Sequence, residues 1–352
     1  MMKKTETNKE KDQDLIQDLA TTDPKFCEWI DSCIRKLYNL KITPKSSFSS
    51  LFPLSETTLI LRLIEEIFLE ESSLLEIQAP IKIIGDLHGN FGNLMKIFDL
   101  IGKVPKEKML FLGNYVDYGA DSIEVLMLLF CLKIRYKDRI FLLRGNHETP
   151  AVNKIYTFHT ECKLKYGSGI WWDFQCCFNR LPFACLISHK VLCMHGGLSP
   201  ELTNLDKIRS IQRPMEPIFN GLEVDLLWAD PTNMGDGWFL SIRGISYMFG
   251  KRIVEKACKR LNISLIIRSH MPVDGFEVMA GRRLITVFSV PNFGGKIGNA
   301  AAILCLNEKL EVTYQKLPGS EFLEAPPRTF TAEWDPEIAT SDMRTVKKFV
   351  KF

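Results

Sequence analysis

Four of the six histidines in this 352-residue chain stand just beyond an apolar run. His88 follows "IKIIGDL", His147 follows "RIFLLRGN", His195 follows "KVLCM" and His270 follows "SLIIRS". Asp86, Asn114, Asp117 and Asn146 share that setting. Imidazole nitrogens together with carboxylate and amide oxygens suit a first-row divalent metal, one ion or two. Asp86-x-His88 in a turn can present an oxygen and a nitrogen to the same ion, and Gly89 lets the backbone approach closely. Gly145-Asn146-His147-Glu148 sets a neutral oxygen ligand beside a histidine able to move protons, and His195-Gly196-Gly197 holds an imidazole at a flexible turn. Two ions about 4 Å apart activate a water and hold both ends of an in-line displacement at phosphorus. A histidine braced by a carboxylate can protonate the departing alkoxide.

Residues so far apart in sequence need a fold that gathers loop ends. The required pattern is present: "IKIIGDLHGN" leads into "FGNLMKIFDLIG", "KMLFLGNYVDYG" into "ADSIEVLMLLFCLKIRY", and "RIFLLRGNHET" into "PAVNKIYTFHTECKLKYG". Strands alternating with helices indicate crossover units in an α/β chain, whose loops at the carboxyl ends of the strands converge on one crevice. "KVLCMHGGLSP", "SLIIRSHMP", "LITVFSVPNFGG" and "AAILCLNEKLEVTYQKL" are further strand candidates. The last two, joined without a helix, are expected in a second sheet. The expected architecture is therefore a two-sheet core flanked by helices. Residues 26–76 read as a helical N-terminal part, with Ser55 as an N-cap. Residues 1–25 read as a mobile polar arm, 26–318 as one domain, and 319–352, which lack periodicity, as an extended tail.

Composition narrows the function classes. A hydrophobic content of 46% with 25% charged residues is ordinary for a globular enzyme. A formal net charge of +3 gives no argument for nucleic acid or a membrane surface as partner. The ten cysteines form no C-x-x-C, and adjacent Cys176 and Cys177 read as small buried hydrophobes. This points to a reducing compartment, cytoplasmic or nuclear. The start "MMKKTETNKEKDQD" lacks the apolar core of a signal peptide. The apolar run Val125–Leu132 is far short of a membrane span. The sequon at Asn262 matters only in a secreted chain.

"GDLHGN", "GNYVDYG", "RGNHE" and "HGGLSP", in that order, resemble the motifs GDxHG, GDxVDRG, RGNHE and HGG of the phosphoprotein phosphatase family. The resemblance runs from about residue 27 to 317. "CFNRLPFACLI", "DLLWADP" and "RGISYMFG" are similar to its protein phosphatase 1 branch. The resemblance implies a calcineurin-like metallophosphoesterase fold, a central two-sheet β-sandwich flanked by helices, hydrolysing phosphoserine and phosphothreonine with a metal-activated water. It implies two divalent ions of the manganese, iron or zinc type. One is held by Asp86, His88 and position 114; the other by position 114, Asn146, His195 and His270. His147 matches the general acid, with Asp117 holding its ring. Arg144, Arg243 and position 118 match the phosphate site. The single histidine of "SHMP" favours this branch over phosphoesterases ending in a G-H-x-H pair.

Two site positions depart from the pattern. Asn114 stands where the family has a bridging aspartate, and an amide offers one neutral oxygen in place of two anionic ones. Tyr118 stands where the family has an arginine that clamps phosphate; a phenol gives one neutral donor for two charge-assisted ones. Ala120 replaces a common lysine, and in "PNFGGKIGN" Phe293, Gly294 and Lys296 replace the usual Tyr, Cys and Glu. The expectation is much reduced turnover. The alternative is an inactive pseudophosphatase that binds phosphoproteins or regulators.

In the resembling branch, regulators dock a K/R-x-V/I-x-F segment on a sheet edge. The matching positions are Val191, Leu265, Val278, Leu310, Val312 and Tyr314, with plain core packing an equal reading for Val191 and Leu265. Leu310, Val312 and Tyr314 alternate and are expected on one face of a strand. Val278 replaces an aromatic residue and Glu311 an apolar one, so an apolar pocket of changed shape, with different partners, is expected. The last five residues, Lys348 to Phe352, themselves fit the docking pattern.

Overall fold

The computed structural model describes residues 23–40 and 48–319. The polar arm before residue 23, the tail and its docking-like end lie outside the described residues. A five-stranded sheet runs in the order β14 (Val312–Leu317), β13 (Ala301–Leu306), β2 (Ile81–Ile84), β3 (Met109–Phe111), β4 (Ile140–Leu142). A six-stranded sheet runs β1 (Leu74–Ile77), β5 (Ala184–Ile187), β6 (Val191–Met194), β10 (Leu265–Arg268), β12 (Leu284–Val287), β11 (Phe276–Met279). A small third sheet, which the sequence pattern did not suggest, joins β7 (Asp230–Pro231), β9 (Tyr247–Phe249) and β8 (Trp238–Leu240).

Alternating side chains show why the strands read as unbroken apolar runs. Ile83, Leu110 and Leu112 meet Cys193, Ile267 and Ile285 in one buried cluster between the two large sheets. Their neighbours Ile84, Met109 and Phe111 point the other way, into a helix-lined cluster, and Leu192, Ile266 and Leu284 into a third. The inner strands β3, β6, β10 and β12 are thus buried on both faces, the condition that replaces polar alternation with continuous hydrophobicity. The strand placement corrects one expectation. β12 belongs to the six-stranded sheet, whereas β13 crosses over and pairs antiparallel with β2, Ile303 opposite Ile84.

Helices α1 (Pro24–Tyr38) and α2 (Leu54–Glu70) pack on α4 (Ser122–Arg135), and α3 (Phe91–Ile101) follows β2 directly. Pro53, not Ser55, caps α2; Ser55 lies inside the first turn, where proline's fixed φ pre-sets the chain's entry. In α4 every residue from Ser122 to Ile134 is buried, so it is apolar nearly all round, as a core helix must be. Glu124, paired with Lys165, and Lys133 are its buried charges. The Lys133 ammonium is buried on the Glu71 carboxylate and on the carbonyls of Lys137 and Ile140, each 3.0 Å away. Lys133→Met leaves that carboxylate and both carbonyls without their cation. Urea unfolding is expected to show a loss of about 3 kcal/mol, the low end for a broken buried pair because Glu71 keeps some solvent. An unchanged midpoint would refute the role.

Candidate active site

Parallel strands deliver their carboxyl ends to one place. β2, β3 and β4 are parallel, Ile84 opposite Phe111 and Phe111 opposite Leu142, and they lead to Asp86 and His88, to Asn114, and to Asn146 and His147. In the other sheet β6 and β10 are parallel and lead to His195 and His270. The loops leave no slack. A Cβ on Gly145 would meet Asn114 N at 2.3 Å and Asn114 Oδ1 at 2.4 Å, so only glycine lets the two loops touch. His88, Asn114, Asp117, Tyr118 and His270 all have left-handed φ, between 46° and 72°. Non-glycine residues held there cost about 1–3 kcal/mol each and cluster where function needs the geometry.

Asp86, His88, Asn114, Asp117, Asn146, His147, His195 and His270 are all buried. His88 Nδ1–H donates to Val116 O at 3.0 Å, turning Nε2 toward Asp86 Oδ2 at 3.1 Å. Asp86 Oδ1 accepts from the Ser269 hydroxyl and from His270 N at 3.1 Å. Burial works against the Asp86 charge, but His88, His195 and Ser269 outweigh it and hold the carboxyl far below the carboxylate range. Burial likewise opposes a charge on His88, and Asp86 overcomes it, raising the imidazole above its ordinary value.

Asn114 is fixed by both of its amide atoms. Its Oδ1 accepts from His147 N at 3.0 Å, and its Nδ2 donates to Asp86 Oδ2 at 3.0 Å. The reverse orientation would set an NH2 against an N–H and an oxygen against a carboxylate, so the network allows only this one. Asn114 therefore aims a hydrogen, not a lone pair, at Asp86.

His195 Nδ1–H donates to Leu112 O at 2.9 Å, which leaves a lone pair on Nε2, 2.9 Å from Asn146 Oδ1. Burial pushes this imidazole down to about 3, so it is neutral. The His270 ring lies 5.0 Å from that of His195, and its buried Nε2 has no hydrogen-bond partner. Burial, aided by the Arg243 charge, holds His270 well below the usual range. Two neutral imidazole lone pairs and an amide oxygen in a buried cleft form a donor set that fits a divalent cation. Among the described residues no three His, Cys, Asp or Glu side chains meet in a geometry to hold a metal. The Asn146 amide is the side-chain oxygen placed to join the two imidazoles.

His147 Nδ1 lies 2.7 Å from Asp117 Oδ2, and Asp117 Oδ1 accepts from Phe158 N at 2.9 Å. Burial lowers His147, with Asp117 pulling the other way. The carboxylate fixes Nδ1 as the protonated nitrogen and leaves Nε2 to take or give a proton.

Tyr118 caps these groups. Its ring centroid is 4.9 Å from His88, 5.5 Å from His147, 5.1 Å from Tyr156 and 4.9 Å from Phe293. It is 45% exposed while His88 and His147 beneath are 4% and 6% exposed, so an aromatic cluster covers the place expected to carry a cation. Burial raises its phenol far above the usual range, so the ring brings no charge at neutral pH. The two arginines expected at the phosphate are engaged elsewhere. Arg144 is fully buried, with Nε, Nη1 and Nη2 on Glu148 O, Met215 O and the Glu216 carboxylate. Arg243 donates to Asp230 Oδ2 at 2.6 Å while staying a third exposed.

Several contributors escaped the reading of the sequence. Glu148 accepts the backbone N–H groups of Asn114, Tyr115 and Gly145 at 2.7–2.9 Å and ties the two loops together. Its place one residue after His147 was the available signal. Ser269 also holds Asp86 N at 3.0 Å. Buried Arg268 bonds Gly196 O and Asp230 beneath His195. Tyr156 carried no motif signal.

The docking positions divide. Val191 and Leu265 are buried in the sandwich interior, which accounts for them as packing. Val278 and Tyr314 lie half-exposed on β11 and β14, the terminal strands of the two sheets, with Phe276 and Tyr314 rings 4.5 Å apart linking the edges. Leu310 is not on the strand as expected. It sits in the preceding turn with φ 63°, and only Val312 and Tyr314 belong to β14.

No helix of the described residues is long and apolar enough to cross a membrane. Residues 79–274, a span holding every metal-site position above, match the family model of the calcineurin-like phosphoesterases. A Caenorhabditis elegans protein provisionally named a serine/threonine-protein phosphatase is 57% identical over 95% of this chain and 93% of its own. The serine/threonine-protein phosphatase PP1-delta of the same organism is 44% identical over 71% of this chain and 83% of its own. A solved Saccharomyces cerevisiae serine/threonine phosphatase with similarity to human PP5 superposes with a TM-score of 0.77 at 32% identity, covering 84% of this chain and 98% of that one. The chain belongs to the calcineurin-like phosphoesterases, within their serine/threonine-protein phosphatase group.

Proposed function

We propose that this protein is a protein phosphatase 1-type domain whose hydrolysis of phosphoserine and phosphothreonine is strongly attenuated. The observation that carries this reading is the Asn114 amide bonded to Asp86, where the family's bridging charge belongs. Of the positions at which the family holds divalent metal, Asp86, His88, Asn146, His195 and His270 keep a residue of the family's type, and the chemistry a bound ion would supply is activation of water and polarisation of a phosphoryl oxygen. Asp117 keeps the His147 ring oriented, and its carboxylate stabilises the imidazolium when Nε2 holds the proton destined for the leaving alkoxide. Arg243, partly exposed beside His270, is the cation closest in role to a phosphate clamp.

The test is hydrolysis of a phosphoserine peptide by purified full-length protein with added Mn²⁺, run beside Asp117→Asn. An amide at 117 must keep an oxygen on Phe158 N, so it turns its NH2 to His147 Nδ1 and forces the opposite tautomer. Residual turnover is expected to fall by about 10²–10⁴-fold, the usual worth of a positioned acid–base. Turnover unchanged in Asp117→Asn would assign the activity to another source. A second reading, a phosphoprotein- or regulator-binding module, is favoured by the aromatic cover that Tyr118, Tyr156 and Phe293 lay over His88 and His147. Regulators carrying a K/R-x-V/I-x-F segment would meet the β11 and β14 edges, where Val278 changes the pocket's shape.

A further inference from the structure

We infer that the site is split, retaining one metal position and having lost the other. The retained position is built from Asn146, His195 and His270; the lost one lies between Asp86 and His88, where the Asn114 amide takes the place of an ion. This rests on the reading of the chain as a metallophosphoesterase, but not on its rate.

The two halves differ in how their polar atoms are satisfied. On the Asp86 side both carboxylate oxygens already accept hydrogen bonds. Asp86 Oδ1 is held by Ser269 and by His270 N, and Oδ2 receives Asn114 Nδ2 at 3.0 Å and faces His88 Nε2 at 3.1 Å. An ion entering there has to break the hydrogen bond that Asn114 Nδ2 donates to Asp86. It cannot gain the amide oxygen instead, because Oδ1 is committed to His147 N, and rotating the amide strands that buried N–H. A buried donor left unpaired costs about 1–3 kcal/mol, and the incoming ligand is a neutral oxygen where the pattern supplies a charge.

On the other side the donors are in surplus. His195 is locked by Leu112 O into the tautomer that exposes the Nε2 lone pair, and that lone pair faces the Asn146 side-chain amide at 2.9 Å. His270 Nε2 is buried with no partner at all. The His195 lone pair can be met by the Asn146 amide, but the buried His270 lone pair is met by nothing, and a cation would take both imidazoles and, with the amide turned to present its oxygen, Asn146 as ligands. Two imidazoles and one oxygen with a further position open to water match the ligand count of a mononuclear zinc-, manganese- or cobalt-type site.

The experiment counts ions. Full-length protein is stripped with chelator, dialysed against Co²⁺, desalted, and assayed for metal per chain together with the d–d absorption of bound Co²⁺. Wild type is expected to hold about one ion per chain, bound through imidazole. His270→Gln loses the ion and the absorption band, whereas His88→Gln keeps both. Asn114→Asp raises the count to about two per chain. Circular dichroism accompanies each variant, and the wild-type count stands even if a variant fails to fold. Two ions per wild-type chain, none, or loss of the ion in His88→Gln would overturn the inference. Attenuated turnover with two ions would sink the split site and spare the proposed function; strong turnover with one ion would do the reverse.

Discussion

Asn114→Asp and Tyr118→Arg each raise phosphoserine-peptide hydrolysis in the presence of Mn²⁺, by about 10–100-fold for the first and about 10²–10³-fold for the second. The first acts through the metal. A carboxylate at 114 faces Asp86 Oδ2 across 3.0 Å, where the amide now donates a hydrogen. Two anions at that separation repel strongly in a buried site and invite a dication between them. The metal-free variant is therefore expected to melt below wild type and to recover on adding Mn²⁺, a signature independent of turnover. The oxygen that accepts His147 N remains, so the loop contact at 3.0 Å survives the exchange.

The second acts on the phosphoryl group. Tyr118 already holds the left-handed backbone, φ 62°, and 45% of its surface is exposed, so an arginine inherits both the strain and the room. What changes is the field over His88 and His147. An aromatic cover is replaced by a guanidinium whose paired donors and permanent charge match the phosphoryl oxygens. Because the two positions serve one site, their effects are not expected to be independent. If either exchange left both rate and metal affinity unchanged, the defect would lie elsewhere.

Glu148→Gln carries the largest expected loss of stability. The carboxylate is fully buried, with Oε2 receiving Asn114 N at 2.7 Å and Gly145 N at 2.9 Å, and Oε1 receiving Tyr115 N at 2.8 Å. Either orientation of a glutamine amide turns an NH2 onto at least one backbone N–H. Burial pushes this carboxyl up to about 7, and the three backbone donors pull against that rise. Chemical denaturation is expected to show a loss of about 3–5 kcal/mol, the range for removing a charge from a buried, fully bonded network. Glu148 holds the loops of β3 and β4 together, so residual hydrolysis should fall with it. A loss below about 1 kcal/mol would mean that the loops are held by glycine packing alone.

The architecture was legible where local rules and tertiary packing agree. Each apolar run ending in glycine and a polar residue proved to be a parallel strand opening on the cleft, and "FGNLMKIFDLIG" and "SIEVLMLLFCLKIR" proved to be helices. The gathering of Asp86, His88, Asn114, Asn146, His195 and His270 follows from that topology. What sequence did not reveal depends on partners distant along the chain. β13 pairs with β2 more than 200 residues away, and nothing local in "AAILCL" selects that neighbour. Arg144 is spent on Glu216, 72 residues on, so its type alone could not tell a phosphate ligand from a buried brace. The orientation of the Asn114 amide is set by His147 N, and Tyr156 reaches the Tyr118 ring from a loop without any motif. Spacing reports what a residue could do; its hydrogen-bond partners decide what it is free to do.

The most direct test compares kcat/KM for a phosphoserine peptide, at saturating Mn²⁺, between wild type and the Asn114→Asp/Tyr118→Arg double variant. The expected result is a wild-type value at least about 10²-fold below the double variant, the smallest deficit that losing a transition-state donor should leave. Wild-type turnover equal to the double variant, and matching an intact family phosphatase assayed alongside, would contradict the account.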